Sequence, residues 1–509
     1  MTTVALEVER KYDVDDRTQV PDLTGVPGVA AVSEPEVVHL VATYVDTADL
    51  RLRRAHTTLR HRSGGHDAGW HLKTPVGADR QEVRLPGDDA AAPVPEQLQS
   101  LVRVHVRRAA LAPVAVLTTV RTVRRLLDAD GRVLVELADD VVTGTPVGGV
   151  EQTWREWEAE LVDGSRELLG DVERELLRTG AEPSASSSKL GRVLGALPPG
   201  GGAVPWWAGR PVSSRRVSAG GVVQAHLRAQ AEELVRRDPQ VRRDVDDAVH
   251  RMRVATRRLR SALTSFRVLL DPAATAVLRE ELKWLAGLLG EARDAEVQHA
   301  RLRELVAGQP AELVVGPVPA RVDEVMGRRY REAHQAVVRE LDGDRYLALL
   351  DALDSLVEAP PFLDGARGRA ADVLPGLGRR TWKRLDRRLR EAERAEPGHE
   401  QDLLLHDARK DAKRARYLGE AVTPVFGRPA RRWAKAVAGL QESLGEHQDG
   451  VVVRDLLRGL AEEAHRAGES TFTYGRLHAL EEGRAVRAAS SWPAAREAAS
   501  ERKLRRWLK

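Results

Sequence analysis

Two different motifs recur in the second half of the chain at almost one spacing. HRMRVATRRLRSAL begins at His250 and HDARKDAKRARYLG begins at His406, 156 residues further on. LGEARD begins at Leu289 and LGEHQD at Leu444, 155 residues further on. Coincidence rarely repeats two motifs at one offset. From about residue 210 onward the chain is rich in Ala, Leu, Arg and Glu, with apolar positions recurring at a period near 3.6. The expectation is a duplicated all-α unit, a pair of helical bundles about a pseudo-twofold axis.

The front third is of a different kind. Runs such as VVHLVATYVDT, WHLKTP, GRVLVELADD and TWREWEAEL alternate apolar and polar residues and are broken by Gly, Pro and Asp. That is the pattern of strands in an antiparallel sheet or barrel. The segment LPPGGGAVPWWAGRP, residues 197–211, has linker composition. The expected organisation is α+β in two domains: residues 1–196 mostly β, a linker over 197–211, and an all-α domain over 212–509. A length of 509 residues accommodates this, at roughly 100–200 residues per domain.

Composition removes several function classes. Cysteine is absent, which excludes disulfides, cysteine-ligated zinc, iron–sulfur clusters and thiol nucleophiles. No apolar run approaches the length that spans a bilayer, and the charged start MTTVALEVERKYDV is unlike a signal peptide. A soluble cytoplasmic protein without a membrane partner is expected. Basic residues number 80 and acidic residues 76, a net charge of +4, so the placement of charge matters more than its sum.

On a helix at about 100° per residue, His250, Arg253, Arg257 and Arg260 share one arc, with Met252, Ala255, Leu259 and Leu263 opposite. In the second copy His406, Arg409, Lys413 and Arg416 share an arc, with Ala408, Ala415 and Val422 opposite. Neither stripe shows acids at helical spacing to neutralise it, although Asp407 and Asp411 flank the second. One such stripe reads as a solvated surface. Two in the same register suit a polyanion, because stacked cations repel unless an anion neutralises them. Arg offers phosphate a planar two-bond fork, Lys a point charge. Tyr417 is the only aromatic near either ladder, and no duplex-docking motif is visible. Sequence-specific nucleic-acid binding is therefore not expected.

The paired H-x2-R-x3-[RK]-x2-R helices, each followed by LG-x3-D, resemble the CHAD family of conserved-histidine α-helical domains. The likeness runs from about Ser218 to Lys509. It implies helical bundles that bind long-chain inorganic polyphosphate in a basic groove between the repeats. Carried over by motif position, the polyphosphate set is His250, Arg253, Arg257, Arg260, His406, Arg409, Lys413 and Arg416. Arg379, Arg380 and Lys383 are candidates to extend the groove, and Asp294 and Asp449 are taken as structural partners.

In the front third, Glu7, Glu9 and Lys11 of EVERK point to one face of a strand. Arg60 and Arg62 share a face, as do His71 and Lys73, then Arg80, Glu82 and Arg84, and finally Glu156, Glu158 and Glu160. Each alone reads as a solvated strand face. Together they describe a barrel with a charged interior in place of an apolar one. Hard carboxylate oxygens suit Mg²⁺ or Mn²⁺, and the guanidinium and ammonium groups suit the phosphates such ions accompany.

E-x-E-x-K at the start, followed in order by TYVDTADLRLRRAHTTLRHR, WHLKTP, a late E-x-E-x-E strand and SSSKLGRVL, resembles the CYTH family, the triphosphate tunnel metalloenzymes. The likeness covers Met1 to about Ala196. It implies an eight-stranded antiparallel tunnel that binds a triphosphate and hydrolyses or cyclises it with a divalent metal. By motif position Glu7, Glu9, Glu156 and Glu158 would hold metal, and Lys11, Arg60, Arg62, Lys73, Arg121 and Lys189 would bind phosphates. Arg121 and Arg124 point to opposite faces of a regular strand, and Arg121 is preferred. Asp139 is taken as a further metal-site acid, with Glu136 or Asp140 in its place if the strand carries a bulge. Fusion to a polyphosphate-binding domain favours inorganic triphosphate as substrate. A non-catalytic polyphosphate-granule protein and an adenylate cyclase are the alternatives.

Overall fold

The chain divides into two units, Met1–Pro205 and Trp206–Lys509. The computed structural model describes residues 3–77, 79–87, 93–186, 188–196, 217–396, 398–489 and 492–508, leaving aside the side chains of 399, 446–449, 451 and 485–491. The expected linker 197–211 lies outside the described residues.

Eleven strands form one sheet among the described residues of the first unit: β1 (Thr3–Glu7), β2 (Glu9–Asp13), β3 (Ala31–Val32), β4 (Glu36–Asp46), β5 (Thr58–Ser63), β6 (Gly69–Val76), β7 (Asp79–Pro86), β8 (Ala112–Leu127), β9 (Val133–Pro146), β10 (Gln152–Leu161) and β11 (Glu182–Pro183). Their order is β1-β7-β6-β5-β4-β8-β9-β10-β2-β11, with β3 beside β8. Each pairing is antiparallel. β1 and β2 are consecutive, interrupted only at Val8, yet they pair with opposite ends of the path. The Val8 carbonyl accepts from Leu161 N–H at 2.9 Å across this break. The N-terminal strand thus draws the two ends of the sheet together and curls it. Counting β1 with β2 and setting aside the two-residue β3 and β11 leaves the eight main strands.

The curl is apolar outside and charged inside. On β10, Trp157 and Ala159 are fully buried against Tyr12, Leu137 and the helix Arg166–Arg178, through Leu169, Val172 and Leu176. On β5, β6 and β7, Leu59, Leu72 and Val83 pack under the helix Glu96–Val106, through Leu98 and Val102. Each buried Leu or Val among these stabilises the fold by about 1.5–3 kcal/mol. Period-2 alternation then forces the intervening Glu158, Arg60, Lys73 and Glu82 into the concave side. A short helix, Lys189–Leu194, also enters that side, capped by Ser188 Oγ accepting from Gly191 N–H at 3.0 Å. Its Leu190 and Val193 pack on Leu117, Val142 and Trp154. A Cβ on Gly144 would stand 2.3 Å from Val193 Cγ2, so this approach requires glycine.

The second unit is all helical among the described residues. Call its helices α1 (Ala219–Arg242), α2 (Ala248–Ser265), α3 (Ala276–Ala307), α4 (Val318–Asp342), α5 (Asp344–Glu358), α6 (Ala370–Arg394), α7 (His399–Phe426), α8 (Arg428–Arg466), α9 (Phe472–Ala489) and α10 (Trp492–Ala499). The duplication is explicit in this order. The two basic ladders lie on α2 and α7, and the two LG-x3-D segments on α3 and α8. α2 also packs on α7, bringing the repeats together. The apolar arcs face inward as expected: Met252, Ala255, Leu259 and Leu263 on α2, and Ala408, Ala415 and Val422 on α7, are buried. No helix among the described residues is long and apolar enough to cross a membrane.

Candidate active site

The concave side of the sheet encloses a cavity of about 270 Å³. Glu7, Glu9 and Lys11 reach it from β1 and β2, Arg60 and Arg62 from β5, Lys73 from β6, Arg121 from β8, Glu158 from β10 and Lys189 from the short helix. Arg80, Glu82 and Arg84 of β7 and Glu160 of β10 line it too. Arg124 is not among its lining residues.

At the cavity wall, Glu158 and, just behind it, Asp140 and Glu156 form the one three-acid group of metal-binding compactness among the described residues, with one oxygen of each within 4.8 Å of the others. Strand register explains the grouping, since Asp140 lies opposite Glu156 on β9 and β10. Asp140 is fully buried and Glu156 is 3 % exposed. Three hard oxygen donors of this kind fit a Mg²⁺ or Mn²⁺ ion. Trp154 Nε1 donates to Glu156 Oε2 at 2.6 Å and orients that carboxylate.

Asp139 is a correction. Its carboxylate pairs with Arg155 at 2.7 Å, away from the cavity. On β9, Glu136 and Asp140 share the cavity parity, whereas Asp139 shares that of the buried Val135 and Leu137. No bulge interrupts the β9–β10 pairing, so Asp140 is inward through plain alternation. That signal was present in VELADD, in the two apolar neighbours of matching parity.

Glu7 and Glu9 line the cavity but stand outside the three-acid group. Lys73 Nζ lies 2.7 Å from Glu7, and Lys11 Nζ 3.2 Å from Glu9. Burial pushes the Glu7 carboxyl up to about 7 against the pull of Lys73. Glu158 is the opposite case. Burial opposes its charge, yet Lys11, Lys189 and Arg121 outweigh it and hold the carboxyl well below the usual range. Arg121 spans Asp140 Oδ2 and Glu158 Oε2, both at 2.6 Å. Lys11 donates to the other oxygen of Glu158.

Further partners complete the wall. His71 is buried 2.9 Å from Glu82 and 2.8 Å from the Asp67 carbonyl. Glu82 also receives Arg84, and Asp67 receives Arg62. Burial pushes Arg62 down to about 9. Arg60 has no acidic partner in the described structure; its Nη1 donates to the Tyr44 hydroxyl at 2.9 Å. Tyr44 and Asp67 were not singled out from sequence, since a lone Tyr and a loop Asp carry no periodic signal.

Charge in the cavity nearly cancels. Eight Lys and Arg side chains face seven Asp and Glu, with Asp140 and Glu156 immediately behind. A multiply charged anion would enter such a site only with added positive charge, which the three-acid group is suited to recruit.

In the helical unit, Arg253 Nη2 lies 3.3 Å from Asp294, as expected of a structural partner. The side chain of Asp449 lies outside the described residues. The ladders are not free of acids. Glu420, one turn beyond Arg416, lies 2.8 Å from Arg416 and 2.7 Å from Arg258 of the other repeat. Tyr417 lies beneath both guanidinium groups, 5.8 Å and 6.0 Å from ring centroid to Cζ. Arg257 is half-buried and Arg260 exposed, with no acidic partner for either in the described structure. His250, His406, Arg409 and Lys413 are half-buried. Burial and Arg293 hold His250 below the usual imidazole value. Arg379 instead donates to the Leu508 carbonyl at 2.8 Å and serves packing. Arg380 and Lys383 are exposed.

A CYTH domain model matches residues 5–190 and a CHAD domain model residues 225–458. Two proteins from strains of Mycobacterium tuberculosis, both described as uncharacterized, are 39 % identical over 493 residues, covering 94 % of this chain and 93 % of theirs. Among solved structures, PptA from Streptomyces chartreusis is 22 % identical, with a TM-score of 0.46 over 55 % of this chain and 99 % of that one. The CHAD domain from the plant Ricinus communis is 24 % identical, with a TM-score of 0.45 over 58 % of this chain and 96 % of that one.

Proposed function

The chain belongs to the family of proteins that join an N-terminal CYTH domain to a C-terminal CHAD domain, and on that premise we propose that it is a metal-dependent inorganic triphosphatase whose helical domain binds long-chain polyphosphate. The domains we assign are 1–196 for the tunnel and 212–509 for the helical part, joined by 197–211. The observation that carries the reading is the cavity itself, in which a three-acid group backs a ring of Lys and Arg.

Arg60, Arg62, Lys11, Lys73 and Arg121 would grip the phosphates of a linear triphosphate. Arg60 is the best placed, because its partner is a neutral hydroxyl and it need not abandon a carboxylate. A Mg²⁺ or Mn²⁺ ion at Asp140, Glu156 and Glu158, with Glu7 and Glu9 as further acids, would supply Lewis-acid stabilisation and a more acidic water. Water attacks the terminal phosphorus in line, the bond to the bridging oxygen breaks, and orthophosphate and pyrophosphate leave. Arg60 and Arg62 would stabilise charge on the leaving side, and positioning would carry most of the rate.

For the helical domain, the duplicated ladders, with Arg257 and Arg260 lacking an acidic partner among the described residues, support polyphosphate as ligand. Tyr417 is buried between Arg258 and Arg416 and offers no stacking platform for bases. A cytoplasmic location at polyphosphate granules follows from this reading.

The test is a paired assay of phosphate release from triphosphate and cyclic-nucleotide production from ATP, each with and without metal. Metal-dependent phosphate release alone is expected. Cyclic nucleotide would reassign the tunnel as a cyclase, and no turnover with retained polyphosphate binding would make the protein a binding module.

A further inference from the structure

One cation in the tunnel touches all three members of the acidic group. Lys189 Nζ lies 2.9 Å from Asp140, 2.7 Å from Glu156 and 2.5 Å from Glu158. Arg121 reaches two of them and Lys11 one. A divalent ion taking one oxygen from each at about 2.0–2.2 Å would need the place this ammonium holds. Two cations do not share such a seat where water is excluded, since little screening remains between them. Asp140 and Glu156 are at most 3 % exposed.

We propose that Lys189 is a tethered occupant of the divalent-cation seat, so that metal loading and the seated ammonium are mutually exclusive. The inference rests on the assignment of Asp140, Glu156 and Glu158 as the metal site. The anchor of the tether is firm: Leu190 and Val193 are buried against the inner wall, and Gly144 leaves room for them. The side chain beyond it can turn toward the main cavity, which Lys189 and Ser188 both line. An ion entering the three carboxylates therefore drives the ammonium into the space where phosphate would bind. One residue then serves two states. It neutralises buried carboxylates in the absence of the ion and adds a phosphate donor in its presence. Metal binding would in this way switch the cavity from internally paired charges to charges available for an anion.

The test uses the full-length chain without triphosphate. Mn²⁺ binding is titrated by the loss of the free-ion paramagnetic resonance signal in wild type, Lys189→Gln and Lys189→Arg. The Gln variant should bind Mn²⁺ at least about tenfold more tightly than wild type, and the Arg variant no more tightly than wild type. In parallel, acylation of Lys189 in wild type is followed by mass spectrometry and should rise when Mn²⁺ is added. Equal affinity of the Gln variant and wild type, or unchanged acylation, overturns the exclusion while leaving the metal site in place. If neither wild type nor the Gln variant binds Mn²⁺, the metal assignment itself falls. Should the Gln variant fail to fold, the acylation of wild type decides alone.

Discussion

A Cβ on Gly445 would stand 2.7 Å from Nη2 of Arg409 and 3.0 Å from its Cζ. Gly290 bears the same relation to Arg253 in the first repeat, at 3.4 Å. The glycine of each LG-x3-D segment thus makes room for the first arginine of the ladder on the preceding helix, which links the two repeated motifs physically. Gly445→Ala should displace Arg409 and weaken polyphosphate binding roughly tenfold, the loss of one charge-assisted contact. Gly290→Ala, at the edge of ordinary contact, should change it by no more than about twofold. Calorimetric titration with long-chain polyphosphate checks both.

Neutralising Arg253 with Arg257, or Arg409 with Lys413, by Gln should each weaken polyphosphate binding more than about tenfold, at roughly 1.5–3 kcal/mol per charged contact. Arg416→Gln should cost less, because Glu420 already engages that guanidinium. Affinity should fall as salt rises, through competition by counterions. Titration at two salt concentrations would show this, and unaltered affinity in both double variants would reduce the ladders to solvated helix faces.

In the tunnel, Asp140→Asn, Glu158→Gln and the double variant Glu7→Gln with Glu9→Gln should each lower triphosphate turnover by about a hundredfold or more. Asp139→Asn should leave turnover within about twofold and cost about 1 kcal/mol of stability, through its partly buried bridge to Arg155. Phosphate-release rates and urea midpoints on the same preparations separate the two effects.

Glu7 also predicts a pH dependence. Burial lifts its carboxyl from 4.5 to about 7 in the folded chain. The folded state therefore holds a proton that the unfolded chain releases. The corresponding stability is present below pH 4.5 and is lost as pH rises to about 7, on the order of 3 kcal/mol in all. Urea unfolding in chelator from pH 4.5 to 8 should show this decline in wild type. Glu7→Gln should flatten it, and an identical slope in the variant would count against the assignment.

The two units should also separate. A fragment of residues 1–196 should hydrolyse triphosphate alone, and one of 212–509 should bind long polyphosphate without hydrolysis, since each unit has its own core. Hydrolysis by the helical fragment would refute the division of labour.

Much of this architecture is local in origin and was legible in the chain. Period-2 alternation placed Arg60, Lys73 and Glu158 on the charged face of their strands, and a period of 3.6 placed Met252, Leu259 and Ala408 in the helical cores. The duplication was visible because both of its motifs kept their offset. The periodicities depend on residues a few positions apart and the duplication on comparison of the chain with itself, so sequence alone determined them.

Which charge answers which was decided only by tertiary structure. Lys11 meets Glu158 across 147 residues, Arg258 meets Glu420 across 162, and Lys189 meets the same Glu158 across 31. Alternation alone could not say that Lys189 would rest among the acids instead of facing an anion, or that Glu420 would bridge the two repeats. Nor does a glycine in a strand announce that a helix will press against it, as Val193 does on Gly144. The reason is one of range. Side-chain direction follows from the local backbone, whereas the partner of a buried charge depends on strands and helices brought together by closure of the whole sheet and bundle.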